Sequence, residues 1–303
     1  MFKKIILSIT CLMFIISLFI DVGAFVSGRI VDALWPIGHV AVFAFWSYLL
    51  LSYQPTMKAA SLRKQFILLT LFCFIIGVGI EIVQPYFGRS KEVGDVYMDY
   101  VGVLLAIIVA NRHRLHWFFK ASYLVFFTYL LIPSLLTIYD EVKVRYEFPV
   151  LASFDNDISL TRWHADQPLV IATPEKIDND LQMMKVTFVK REYSGVALRH
   201  FEGNWDGYKE LTIRFYSPNE KALPVTLIAT DEGYNTGKTT YENRFEKSLQ
   251  IQPGFSEISI PLIMIKEGVK LREMDLTKMT GVDFYMYDLT EPLHLFIDSV
   301  FLQ

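Results

Sequence analysis

The sequence predicts a two-part chain: an all-α transmembrane helical bundle of about five spans, followed by an all-β jelly-roll sandwich. Three observations predict it. Nearly every long apolar run falls before residue 140. Beyond it, apolar and polar residues alternate at period two in short segments broken by Pro, Gly, Asn and Asp. Both cysteines, Cys11 and Cys73, lie in apolar runs of the first part, so the second part must rest on its hydrophobic core without disulfides. The 303 residues divide into an expected helical domain at 1–140, a connector at 141–150 and a sandwich at 151–303. A net charge of −3 offers nucleic acid no bulk attraction. The expected partners are a lipid bilayer and a polysaccharide or glycolipid.

Five apolar runs can be read, at residues 4–20, 37–53, 66–83, 94–110 and 117–138. Each is near the roughly 20 residues that cross a bilayer. Lys3 and Lys4 ahead of the first run also fit a cleaved signal segment, but no clear small-x-small site follows, and the run is expected to remain as a span. With the N-terminus inside, the inner segments hold Lys3, Lys4, Lys58, Arg63, Lys64, Arg112, Arg114 and Lys120. The outer ones hold only Arg29, Arg89 and Lys91. The positive-inside rule then predicts a multi-pass plasma-membrane protein with a cytoplasmic N-terminus and an extracytoplasmic C-terminal domain. Trp35, Trp46, Tyr48, Tyr53, Trp117 and Phe118 sit near span ends, as an aromatic belt would. Pro85 is expected to stop the third helix and Pro133 to kink the fifth. Arg112-His113-Arg114 reads as an inner-face basic anchor.

Residues 77–102 organise this half. An acid costs about 2.5–3.5 kcal/mol at the centre of a membrane helix, so polar groups at that depth need partners. Glu81 and Gln84 share one helical face, and Asp95, Asp99 and Gly102 share another. His39, Glu81, Gln84, Arg89, Asp95 and Asp99 are expected in one layer near the outer face. They form a candidate membrane polar site: either an outward pocket for a head group, sugar or proton path, or a cluster that fixes helix packing.

At these residues the sequence resembles the VanZ-like membrane family. Glu81-Ile82-Val83-Gln84, Gly88-Arg89-Ser90 and Asp95-Val96-Tyr97-Met98-Asp99-Tyr100-Val101-Gly102 match its pattern, as does His39. Trp35-Pro36 stands where the family has Asp-Lys, and Asp99 where it has Asn. The resemblance covers roughly residues 5–110. It implies a small helical envelope protein, some of whose relatives are associated with glycopeptide tolerance.

In the second part, Leu181-Met183, Val186-Phe188, Val196-Leu198, Leu211-Ile213-Phe215, Val225-Leu227-Ala229, Leu249-Ile251, Ile258-Ile260, Phe284-Met286 and Leu295-Ile297 mark eight or nine short strands. That number in about 150 residues points to a jelly-roll sandwich. Ser153-Phe154-Asp155, Asn204-Trp205-Asp206-Gly207-Tyr208, Gln252-Pro253-Gly254-Phe255 and Phe296-Ile297-Asp298-Ser299-Val300 resemble the galactose-binding-like jelly rolls, including certain carbohydrate-binding modules. That resemblance implies a binding module. Sugars are held by aromatic rings on their apolar faces, with polar groups nearby. Trp163, Tyr234, Tyr241 and Tyr285 are the candidate glycan-binding residues, with Tyr193 and Tyr287 beside them. The polar loop at 231–240 is the best loop candidate. Trp205 and Tyr208 read as structural.

No cofactor is expected. Asp155, Asp157 and Asp298 could supply oxygens to a structural calcium, although Asp155 and Asp157 read more simply as turn caps. No Gly-x-Ser-x-Gly, His-Glu-x-x-His, Walker or Rossmann pattern occurs. Binding is therefore favoured over catalysis. The alternative is a membrane enzyme or transporter acting on a lipid-linked substrate through Glu81, His39 and Asp95.

Overall fold

The computed structural model describes residues 28–87, 92–174, 181–236 and 241–303. The expected first span, Cys11, Arg89, Lys91 and the loop tip at 237–240 lie outside them. The chain divides into two compact units, Met1–Ile138 and Tyr139–Gln303.

α1 (Gly28–Tyr53), the single turn α2 (Pro55–Lys58), α3 (Leu62–Val83) and α4 (Val93–Ala110) lie in the first unit, and α5 (Trp117–Glu147) begins there and ends in the second. Among the described residues, α1, α3, α4 and α5 are long and apolar enough to cross a membrane. Ser61 caps α3 by accepting the Lys64 N–H at 3.3 Å. Pro85 falls in the 3-10 turn Gln84–Phe87 that ends α3.

Two boundaries differ from expectation. α1 begins at Gly28 rather than near residue 37, which puts Trp35 on the helix one turn before His39. α5 continues to Glu147, so most of the expected connector is helical. Its polar end is supported by the i, i+4 pairs Lys143–Glu147 and Glu141–Arg145.

Gly102 sets the approach of α4 to α1. A Cβ there would overlap the Val40 carbonyl oxygen and lie 2.9 Å from the Ala44 nitrogen. Phe43, Leu51, Leu69, Ile80 and Ile107 form a buried apolar cluster in this unit, while many other large apolar side chains stay outside. Phe74, Ile75 and Leu71 on α3 are more than half exposed, whereas Leu69 and Cys73 pack inward.

The second unit holds eleven strands among the described residues: β1 (Val150–Ala152), β2 (Trp163–Ala165), β3 (Val170–Ala172), β4 (Met183–Phe188), β5 (Tyr193–Leu198), β6 (Glu210–Ser217), β7 (Leu223–Asp231), β8 (Phe245–Ile251), β9 (Gly254–Pro261), β10 (Met279–Tyr287) and β11 (Leu293–Leu302). Two short helices, α6 (Glu232–Thr236) and α7 (Leu262–Glu267), interrupt them. One sheet runs β3-β4-β11-β6-β9, with β1 also on β11; the other runs β2-β5-β10-β7-β8. All pairings are antiparallel.

Alternate residues of both sheets point into one core. Leu211, Ile213 and Phe215 of β6 meet Val282, Phe284 and Met286 of β10 there, with Phe215 edge-on to Phe284 at 5.5 Å. Trp205 is fully buried against Phe201, and its indole N–H donates to the Glu202 carbonyl at 3.2 Å. Gly254 turns β8 into β9 at φ +80°, a conformation that glycine adopts without a Cβ penalty.

This core corrects one expectation. Trp163 is no sugar platform: its ring is buried between Phe154 and Phe284, at 5.9 and 6.4 Å. Its position on β2 opposite Leu198 points the indole inward.

Candidate functional site

Each unit holds a concentration of polar side chains. In the helical unit, the close contact at Gly102 brings His39 of α1 against Asp99 of α4, their Nδ1 and Oδ1 atoms 2.7 Å apart. The other ring nitrogen, Nε2, lies 3.2 Å from Asp95 Oδ2. The Trp35 indole N–H donates to that same oxygen at 3.0 Å, and its ring stands edge-on to His39. Gly77 of α3 leaves room for Asp99, whose Oδ2 sits 2.7 Å from where a Cβ would be. His39 and Asp99 are each 1% exposed.

Glu81 closes the group from α3. Its Oε2 accepts the Glu92 backbone N–H at 2.7 Å, while Oε1 is buried without a hydrogen-bond partner among the described residues. Gln84 is buried one turn further on. Of the six residues expected in this layer, His39, Asp95 and Asp99 are in direct contact and Glu81 interacts with them electrostatically. Arg89 falls outside the described residues. Trp35 was missed, because in the sequence it read as an aromatic-belt residue and as a departure from a family pattern. Chemically, an imidazole hydrogen-bonded to one carboxylate and 3.2 Å from a second can hold a proton or pass one between them.

In the sandwich, the outer face of the second sheet carries the other concentration. Strand parity puts Val282, Phe284 and Met286 inward, so Asp283, Tyr285 and Tyr287 point out. Across β5, Tyr287 pairs with Tyr193, Tyr285 with Gly195 and Asp283 with Ala197. The Tyr285 ring fills the space a Cβ at Gly195 would take, so it lies over the sheet. Tyr193 packs against it at 5.8 Å and against Tyr287 at 6.5 Å. Tyr193 and Tyr287 are 58% and 47% exposed. The three rings form a continuous aromatic surface about two strands wide.

Beside them, Arg199 grips Asp283 through both guanidinium nitrogens. Burial opposes the charge on Arg199, but the Asp283 carboxylate outweighs it and holds the guanidinium protonated more firmly than usual. Burial, with Asp283 adding to it, raises the Tyr285 phenol above its ordinary range, so the ring remains a neutral hydrogen-bonding group.

The far edge of this face is built by the segment after β7. Asp231 is fully buried; its oxygens accept from both Arg272 nitrogens, from the Asp275 N–H at 2.8 Å and from the Tyr234 N–H at 3.1 Å. Burial alone would raise this carboxyl, but these donors hold it below the usual carboxylate range. Arg272 also donates to Asn243 Oδ1 at 2.6 Å, which anchors the start of β8. There Tyr241, 75% exposed, lies under the Arg244 guanidinium at 4.5 Å. Tyr234 sits partly buried on α6 and interacts with both Arg199 and Arg244.

Of the glycan candidates, Tyr285 therefore belongs to the aromatic face, Tyr241 and Tyr234 to its edge, and Trp163 to the core. The sequence reading missed Arg199, Asp283 and Arg272, and held Asp231 only as the first residue of the 231–240 loop. The usable signal was Asp283, a charge at outward parity between Val282 and Phe284.

Of the calcium candidates, Asp155 and Asp298 line one open cavity of ≈ 690 Å³ and Asp157 does not. Asp155 accepts from Lys143 at 3.3 Å, Asp298 from the Ser299 hydroxyl at 2.9 Å, and Asp157 opens a 3-10 turn. No group of three or more His, Cys, Asp or Glu able to hold a metal ion occurs among the described residues.

No protein-family model matches the sequence. No curated protein matches it either. Solved structures are similar to about half the chain. One is the family 11 carbohydrate-binding module from Clostridium thermocellum in complex with a β-1,3-1,4-mixed-linked tetrasaccharide: 14% identity, 50% of this chain and 93% of that one, TM-score 0.37. Another is a carbohydrate-binding module specific for non-crystalline cellulose: 12% identity, 52% and 93% coverage, TM-score 0.38. A third is an exo-β-agarase, of which only 24% is covered: 17% identity, 51% of this chain, TM-score 0.41.

Proposed function

We propose that the protein is a membrane-anchored glycan-binding protein of the cell envelope, and that the outer face of the second sheet holds a polysaccharide or glycolipid chain. One observation carries this reading: Tyr193, Tyr285 and Tyr287 form a contiguous exposed surface on rigid strands, beside an Arg199–Asp283 pair. Pyranose rings present apolar faces and equatorial hydroxyls. An aromatic floor takes the first, and a fixed donor–acceptor pair takes the second. The strand ladder holds these groups in place before binding, which lowers the ordering cost.

The helical unit anchors the chain, in an arrangement of VanZ-like type. Lys58, Arg63, Lys64, Arg112, Arg114 and Lys120 all lie at one end of the helices, next to the α2 and α4–α5 turns. The positive-inside rule puts that end in the cytoplasm and the chain beyond α5 outside. Probing a glycan array with the full chain in detergent micelles tests the binding role. Saturable binding to a defined glycan class is expected; binding to no glycan would remove the reading.

One observation favours a second reading. His39 bridges two carboxylates, and Glu81 Oε1 has no hydrogen-bond partner among the described residues, which suits proton transfer to a lipid-linked substrate. A Glu81→Gln chain that folds normally and keeps its full cellular phenotype would sink it.

A further inference from the structure

The basic end of the helical unit holds a second site, which the glycan reading does not use. Residues 33–80 and 100–139 contain six Lys and Arg and no Asp or Glu. The charges follow the fold: all six flank the turns from α1 to α3 and from α4 to α5. None of the six has a carboxylate partner among the described residues.

Between the two turns lies an open cleft of ≈ 400 Å³, walled by Lys58 on one side and by Arg112, His113 and Arg114 on the other. That volume falls within the range of about 300–1,000 Å³ usual for small-ligand sites. Its floor is built rather than incidental. Gln65 Nε2 donates to the Met57 carbonyl at 2.9 Å and is 3.4 Å from that of Ala60. Gln65 Oε1 accepts from Asn111 Nδ2 at 2.8 Å, and the same Nδ2 reaches the Ile107 carbonyl at 3.0 Å. Gln65 and Asn111 are 2% and 6% exposed. This buried amide pair ties the two turns together and sets the spacing of cationic side chains that otherwise repel one another.

Several cationic side chains lining one cleft without carboxylates attract an anion. Guanidinium forks match phosphate oxygens bidentately. The cleft also lies at the ends of helices apolar enough to cross a bilayer, which is the depth of lipid phosphates. We propose that this cleft binds the phosphate of an anionic phospholipid headgroup. The same chemistry would take a free phosphate, and the test separates the two.

The full chain is delipidated in a neutral detergent and titrated with phosphatidylglycerol or phosphatidylcholine, with bound lipid read by native mass spectrometry. One phosphatidylglycerol is expected to bind at least about tenfold more tightly than phosphatidylcholine. Arg112→Gln/Arg114→Gln should remove about tenfold of that affinity. Lys58→Gln, on the opposite wall and independent of the α4–α5 turn, should remove severalfold. The charge-matched Arg63→Gln/Lys64→Gln, outside the cleft, should change it less than about twofold. Helix content by circular dichroism should be the same throughout. Equal binding of the two lipids, or equal loss from both double variants, would overturn the proposal. So would displacement of phosphatidylglycerol by millimolar inorganic phosphate, which would assign the cleft to a soluble anion.

Discussion

The two units expose opposite things. The helical unit hides His39, Asp95, Asp99, Gln65 and Asn111 and shows Phe74, Ile75 and Leu71 to its surroundings. The sandwich hides Trp205, Phe215 and Phe284 and shows Arg, Asp and Tyr. On the proposed membrane reading, one amino-acid alphabet is sorted against two solvents. Where the surroundings are hydrocarbon, nothing is gained by turning apolar side chains inward, so helices associate through close contacts such as Gly102 and through polar pairs. Where the surroundings are water, burying apolar area supplies the drive, and polar groups are free to face a ligand. The His39 cluster is accordingly closed on itself, whereas the Arg199–Asp283 pair lies at an open face flanked by exposed rings.

That contrast can be broken most forcefully inside the helices. His39→Leu removes the bridge between two buried carboxylates. The expected cost is about 3–5 kcal/mol, seen as a loss of folded helical protein in detergent. A variant as stable as wild type would show that the cluster is not closed in the way described. Gly102→Leu should act similarly, by pushing α1 away from α4.

The nearest equivalent in the sandwich is Arg272→Ala, which strands the buried Asp231. Here water can reach the cavity left behind, so a smaller loss of about 2–3 kcal/mol is expected in thermal or urea unfolding. The same carboxylate predicts a pH dependence. Its folded pKa lies below the ordinary value, so its stabilisation is fully present above the ordinary carboxylate pKa and is lost as pH falls through the lower folded one. Asp231→Asn should be less stable at neutral pH and should lose less on acidification. An unchanged acid limb in that variant would remove Asp231 from the account.

The smallest effects belong to the open face. Tyr285→Ala should leave stability within about 1 kcal/mol and weaken glycan binding about tenfold. Gly195→Ala should displace the Tyr285 ring and weaken binding severalfold. An unfolded Tyr285→Ala protein would show that the ring is core rather than platform.

The layers of the molecule were unequally legible. The long runs behind α3 and α4 and the clean alternation Leu211-Ile213-Phe215 are periodic over enough residues to declare themselves. The three-residue strands β1, β2 and β3 carry no period. α6 and α7 are single turns inserted between strands. The polar end of α5 read as a linker because its charges obscured the helical i, i+4 pairing. At the sites, the Asp95-x-x-x-Asp99 spacing announced itself because it lies on one helix. Arg199–Asp283 and Asp231–Arg272 join residues 84 and 41 positions apart, and only the tertiary fold brings them together. Trp163 misled because an isolated tryptophan in a short segment does not reveal which face it points to.

The central claim is that the Tyr193–Tyr285–Tyr287 surface binds glycan. The most direct measurement is a glycan array run in parallel on three full-length proteins: wild type, Tyr193→Ala/Tyr285→Ala/Tyr287→Ala, and Phe255→Ala, which removes an exposed aromatic from the other sheet. The account predicts the same bound glycans for wild type and Phe255→Ala, and none for the folded triple variant. Undiminished binding by the triple variant, or its loss with Phe255→Ala alone, would contradict it.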